Sequence, residues 1–91
     1  MKAVYPNPFS DQVTFAYVLG SDAKVTSTCY NVAGEIIWVR DEALARGLKF
    51  SSWKGDNGAG GRCASGVYPI HVQALAGSDS KDFWFNAVIA R

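Results

Sequence analysis

Few residues in this chain are of a type that does chemistry, and they are scattered. His71 is the single histidine. A Ser–His–Asp constellation needs a histidine held between a nucleophile and a carboxylate, and a metal pair needs a second strong ligand. Neither is spaced around His71, which falls out of phase with Tyr68, Ile70 and Val72 and so belongs on the other face of their strand. Asp56-Asn57-Gly58 resembles the opening of a calcium loop. The spaced carboxylates and the terminal bidentate Glu of such loops are missing, and turn geometry accounts for all three residues. Cys29 and Cys63 allow at most one internal disulfide and lack the C-x-x-C spacing of zinc and redox motifs. Trp38, Trp53, Trp84 and Tyr68 are the side chains able to stack on a sugar ring, although in a small sandwich most large aromatics belong to the core. Alternation with Phe83 and Phe85 turns Trp84 outward, which makes it the best candidate for exposure. The residues therefore name no catalytic group, no metal site and no cofactor, and they argue against an enzyme. Carbohydrate stays open as an alternative ligand.

The totals narrow the partners. Ninety-one residues make one small domain. An apolar fraction of 48% with 13% aromatics lies well above that of a disordered chain. A net charge of +1 gives no electrostatic case for nucleic acid or an anionic membrane. The longest apolar runs fall far short of the roughly 20 residues a spanning helix needs, so no membrane span is expected.

The elements that must position these residues are strands. Residues 1–12 read as an extended entry segment, with Tyr5-Pro6-Asn7-Pro8-Phe9 stiffened by its prolines and pinned at aromatic ends. Val13 to Leu19 alternates, with Val13, Phe15, Tyr17 and Leu19 on one face. Gly20-Ser21-Asp22 turns the chain into a second run, Val25 to Asn31. Ile36 to Val39 reads as a third strand, apolar on both faces. Asp41 to Gly47 has the only helical propensity, and it is too short for a stable helix, so a loop or single turn is expected. In Leu48 to Trp53 the parity breaks, because Leu48 and Phe50 share a face that Trp53 does not. A β-bulge near Ser51-Ser52 would repair this. Trp53 to Tyr68 holds five of the nine glycines and reads as a long ordered reversal. Gly66 to Leu75 is a long strand in which Pro69 implies an edge or a bulge. Ser80 to Ala90 closes the chain with Phe83, Phe85, Ala87 and Ile89 on one face. These make six strands, with a seventh short one expected near Arg62-Ala64. The pattern specifies an all-β, immunoglobulin-like antiparallel β-sandwich of about seven strands, one domain over residues 1–91. Its expected core includes Phe15, Tyr17, Val25, Cys29, Ile37, Tyr68, Ile70, Val72, Phe83 and Phe85.

Five short pieces occur in order. They are Tyr5-Pro6-Asn7-Pro8-Phe9, Phe15-x-Tyr17-x-Leu19, Val25-x-x-x-Cys29-Tyr30-Asn31-x-x-Gly34, Trp53-x-Gly55, and Ala64-Ser65-Gly66-Val67-Tyr68. Together they resemble the immunoglobulin-like domain of the flagellar hook-capping protein and the C-terminal sorting domains of type IX secretion cargo. The chain departs from those families at Lys54, where Asp is usual, and at Arg40, where Leu is usual. It departs also at Ser27, Cys29 and Cys63, which stand at aliphatic positions, and at Pro69, which replaces an aromatic. The aliphatic positions imply two reduced, buried thiols, with a disulfide as the alternative. The resemblance implies a non-catalytic accessory C-terminal module of a secreted bacterial protein, at the cell surface or outside the cell, acting in sorting or anchoring. Its partners would be proteins: the secretion machinery or neighbouring domains. A structural spacer like that of the hook cap and a carbohydrate-binding module of a glycosidase are the alternatives. Within this resemblance Val88, Ile89, Ala90 and Arg91 are the candidate partner-binding residues, on a terminal strand expected to offer unpaired backbone. Tyr5, Pro6, Asn7, Pro8, Phe9, Trp53, Gly55, Gly66, Val67 and Tyr68 form the supporting motif.

Overall fold

The computed structural model describes residues 2–91 and is all-β over them. Its strands are β1 (Lys2–Tyr5), β2 (Val13–Leu19), β3 (Ala23–Tyr30), β4 (Ile36–Leu44), β5 (Gly47–Trp53), β6 (Gly66–Ala76) and β7 (Asp79–Ile89). They form two antiparallel sheets, β1-β2-β5 and β4-β3-β6-β7, packed as a sandwich. The period-two runs explain the packing, because in each the in-phase apolar residues face the opposite sheet. Phe15 meets Phe85 at 5.3 Å between ring centroids, and Tyr17 meets Phe83 at 5.2 Å. Val25, Cys29, Ile70 and Val72 complete this layer and are fully buried. Burial of each large apolar side chain contributes about 1.5–3 kcal/mol, so this interior dominates the stabilising terms.

Several local expectations need correction. The seventh strand is Lys2–Tyr5, paired with β2 from Lys2↔Tyr17 to Tyr5↔Thr14. The 62–64 stretch contributes only an isolated bridge, Asp56↔Arg62. Residues 41–44 are the end of β4 and not a loop, since β3 pairs with them through Thr26↔Asp41 and Ala23↔Leu44. Ladder hydrogen bonds with a neighbouring strand override a weak local helical preference. Nor is there a bulge at Ser51-Ser52, because the β2–β5 register runs unbroken from Val13↔Trp53 to Leu19↔Gly47. Leu48 and Phe50 simply point outward, 46% and 58% exposed, while Lys49 and Ser51 share the inner face with Trp53. The bulge lies instead between β3 and β4 at Cys29/Tyr30. It makes Ile37 the extra residue, leaving it half-buried while Trp38 takes the core position. Pro69 is on a central strand, not an edge. The β3–β6 pairing ends at Cys29↔Ile70, so the missing proline N–H falls just past the last ladder pair and costs no bond.

Candidate partner-binding end of the sandwich

The motif residues converge on one end of the sandwich, where the entry segment, the glycine-rich reversal and the last residues meet. Phe9 is 2% exposed and packs edge-on to Trp53 at 5.8 Å. Trp53 in turn contacts Tyr68 at 5.3 Å and Trp38 at 6.1 Å. The polar tips of both Trp53 and Tyr68 are used to fold the reversal. Trp53 Nε1–H donates to the Asp56 carbonyl at 2.7 Å, and the Tyr68 hydroxyl donates to the Ala64 carbonyl at 2.7 Å. Asn57 completes the reversal, its Oδ1 accepting from the backbone N–H of Ala59 and Gly61. This is the local side-chain turn for which Asn is suited.

The entry segment covers the outer edge of β7. Asn7 behaves as a peptide group would: its Nδ2 donates to the Asn86 carbonyl at 2.8 Å, and its Oδ1 accepts from the Val88 N–H at 2.8 Å. Phe9 continues the pairing, its N–H donating to the Val88 carbonyl and its carbonyl accepting from Ala90. The peptide bonds before Pro6 and Pro8 are both cis. The terminal strand therefore does not offer the free backbone expected of it here, because an uncapped edge invites unplanned pairing and the chain fills this one with its own residues.

Arg91 fastens the same end. Its guanidinium donates to the carbonyls of Ser10, Lys54, Gly55 and Cys63, and its backbone N–H donates to Ser65 Oγ. One planar fork thus ties the entry segment to both limbs of the reversal, a geometry that suits Arg and not Lys. Gly55 is required for it. At φ 74° it holds a left-handed conformation, and a Cβ there would collide with Arg91 Nη2. Of the four candidate partner-binding residues, Ile89 is core, Ala90 and Arg91 are exposed but engaged in hydrogen bonds, and Val88 is half-buried on the outer face. Within the supporting motif, Phe9, Trp53, Gly55 and Tyr68 are buried. Gly66 is half-buried, while Tyr5, Pro6, Asn7, Pro8 and Val67 are exposed.

Beside Val88 lies a surface that sequence reasoning did not assemble. Val67 pairs with Val88, and Trp84, Pro69 and Tyr30 follow across the outer face of the large sheet. The β3–β4 turn adds Val32 and the start of β4 adds Ile36, which are 84% and 61% exposed. A shallow depression of about 350 Å³ runs among Tyr30, Asn31, Val32, Gly34, Pro69 and Trp84. No charged side chain lines the depression, and Glu35 meets it only at the rim, where its Oε1 accepts from Asn31 Nδ2 at 2.9 Å. The missed signal was the outward parity of Val67, Pro69 and Trp84, which only the observed register places side by side. A larger hollow of about 470 Å³, at Asp22, Lys24, Leu44 and Leu75, holds none of the candidate residues.

The remaining chemistry-bearing residues are accounted for locally. His71 does face away from the core. Its Nε2 lies 2.7 Å from Asp82 Oδ1 and its ring stacks on Trp84 at 4.5 Å. Trp84 is 52% exposed and also faces Tyr30 at 6.2 Å. Trp38, Trp53 and Tyr68 are core, so the four aromatics named as a sugar platform do not share a surface. Both cysteines are free thiols; Cys29 is buried, whereas Cys63 is only half-buried. Burial pushes the Cys29 thiol up to about 12, with the nearby Cys63 adding to the effect. Burial also raises Cys63, Tyr17 and Tyr68. Arg40, unusual for the resembled families, bridges the sheets by lying over Trp38 at 5.0 Å and donating to the Ser52 carbonyl at 3.2 Å.

Fold and end together define an immunoglobulin-like sandwich module. Solved structures that share its architecture include three with the following likeness. Dimeric latent PorU from Porphyromonas gingivalis matches with a TM-score of 0.79 at 17% identity, over 97% of this chain and 9% of that one. FlgD from Pseudomonas aeruginosa, a flagellar hook-cap protein, matches with a TM-score of 0.73 at 16% identity, over 85% of this chain and 61% of that one. PorZ, a surface component of the type IX secretion system of P. gingivalis, matches with a TM-score of 0.63 at 26% identity, over 99% of this chain and 11% of that one. The chain thus spans about a tenth of each Por protein and about three fifths of the hook-cap protein. These neighbours, two type IX secretion components and a flagellar hook-cap protein, match the resemblance read from the sequence. No family model and no curated protein sequence matches the chain.

Proposed function

We propose that this domain is a non-catalytic accessory module of a secreted bacterial protein, and that it directs sorting or surface anchoring by binding a protein of the secretion machinery. The observation that carries this reading is the uncharged apolar belt of Val32, Ile36, Pro69, Val67, Trp84 and Val88 beside the end closed by Arg91. Contiguous exposed apolar surface marks protein–protein contact on small soluble domains. Two of its structural neighbours are type IX secretion components, which supports that setting. The terminal residues act in two ways under this reading. Val88 contributes to the surface, while Ile89 and Arg91 hold that surface in shape. The likeness to the hook-cap protein favours a second reading, a spacer that packs on neighbouring subunits.

A periplasm-directed reporter fused to the domain, expressed in a bacterium with the type IX machinery, separates the two. Sorting requires that the fused reporter reach the cell surface and that the unfused reporter stay in the periplasm. Equal periplasmic retention of both would refute sorting and leave the spacer.

A further inference from the structure

The opposite side of the large sheet ends in β4, and that edge is open. Phe9 and Asn7 bond Asn86, Val88 and Ala90, so the even-numbered residues of β7 direct their backbone groups off the sheet. In antiparallel ladders this parity carries from strand to strand. Counting through the β7–β6, β6–β3 and β3–β4 registers, the odd-numbered residues of β4 point off the far edge. The acceptance of the Gly58 N–H by the Ile37 carbonyl agrees with this count. Beyond it, no turn or loop among the described residues bonds the outward backbone of Val39, Asp41 or Ala43.

We propose that this edge binds a second copy of the chain, β4 against β4, antiparallel about a two-fold axis at Asp41. In that register Val39 faces Ala43 of the second copy, so the outward backbone groups of both strands meet as hydrogen-bonding pairs. On the inner face Arg40 lies opposite Glu42 of the second copy and Glu42 opposite its Arg40, while Trp38 lies opposite Leu44. Charges that point inward at an edge normally discourage pairing. Arg40 and Glu42, both half-buried, do so against a generic apolar strand, which would leave each without a counter-charge. An inverted copy of the same segment gives both a counter-charge, in addition to the Ser52 carbonyl that Arg40 already meets, which makes the edge selective for itself. Shifting the axis to Arg40 sets Arg40 against Arg40, and shifting it to Glu42 sets Glu42 against Glu42. The one unfavourable contact is Asp41 with its own copy, and it is moderated by Thr26 Oγ1, which donates to Asp41 Oδ1 at 2.7 Å. Lys24, paired with Ala43 on the same face, lies close by.

The contact is a single strand pair with its flanking side chains. It belongs at the small end of interface sizes, so association is weak. Sedimentation of the reduced protein up to about 1 mM tests it. The wild type should shift from monomer to dimer as concentration rises. Arg40→Glu and Glu42→Arg should each weaken association at least about tenfold, and the double swap should restore it, because the pair is rebuilt with its signs exchanged. Asp41→Asn should tighten it about two- to fivefold, by removing a like-charge cross-strand pair. Ala43→Pro removes an off-edge donor but no bond to β3, so it should abolish association while thermal melting shows the fold intact. A wild type and an Asp41→Asn variant that both stay monomeric at the highest concentration overturn the proposal. So does a folded double swap no better than the single variants, or unchanged association in Ala43→Pro.

Discussion

Arg91 is the clearest single residue in this structure whose side chain holds distant segments in place. Its fork reaches carbonyls on the entry segment and on both limbs of the glycine-rich reversal. Arg91→Ala should lower unfolding free energy by about 1.5–3 kcal/mol, the range for hydrogen bonds involving a charged group. Arg91→Lys should recover little of it, since an ammonium cannot span several carbonyls from one plane. Urea titration at neutral pH measures both. Cys29 makes a separate prediction. Its thiol ionises only at about 12 in the fold, against 9.0 for an ordinary thiol, because burial disfavours the thiolate. The raised value means that its contribution is fully present below pH 9. It is lost as pH climbs from 9 toward about 12, where the unfolded chain releases a proton that the folded chain keeps. The urea midpoint should therefore fall above pH 9, and it should fall less steeply in Cys29→Ala. A midpoint with the same pH slope in both proteins would contradict the assignment.

At the scale of elements, the entry segment finishes the sheet that β7 begins. Asn7 supplies one donor and one acceptor to consecutive outward backbone groups. Asn7→Asp keeps the acceptor but replaces the donor with a carboxylate oxygen facing the Asn86 carbonyl. It should cost about 1–3 kcal/mol and speed amide exchange at Val88 and Ala90, with little change at Ile70. Uniform exchange rates across these amides would show that the segment does not seal the edge. Much of this element structure was legible in the sequence. The alternating runs of β2, β6 and β7 specified their own inner faces, and nearly all of the expected core is buried. The errors fell where neighbours outvote local pattern. Asp41 to Gly47 reads as a loop or single turn because the partner of its first half, Ala23 to Thr26, is not adjacent in sequence. The sequence implies a bulge at Leu48 to Trp53 because apolar residues on an outer face, such as Leu48 and Phe50, have no local signature. The candidate site was legible only as fragments. Ser10, Lys54-Gly55 and Cys63 to Ser65 are far apart along the chain, and nothing local announces that one arginine joins them.

For the molecule as a whole, the two sides of the sandwich are treated differently. One is closed by Asn7, Phe9 and Arg91, and the other is guarded by the inward charges of Arg40, Glu42 and Lys49. Between them, the outer face of the large sheet carries the uncharged belt. The proposed function requires the belt, and not merely the fold beneath it, to reach the secretion machinery. The direct measurement is surface delivery of the fused reporter when Val32→Asp and Val88→Lys are introduced together, with thermal melting measured on the same domain. The account expects a domain that melts close to the parent and a reporter that remains in the periplasm. Delivery equal to that of the intact domain, from a folded variant, would contradict it.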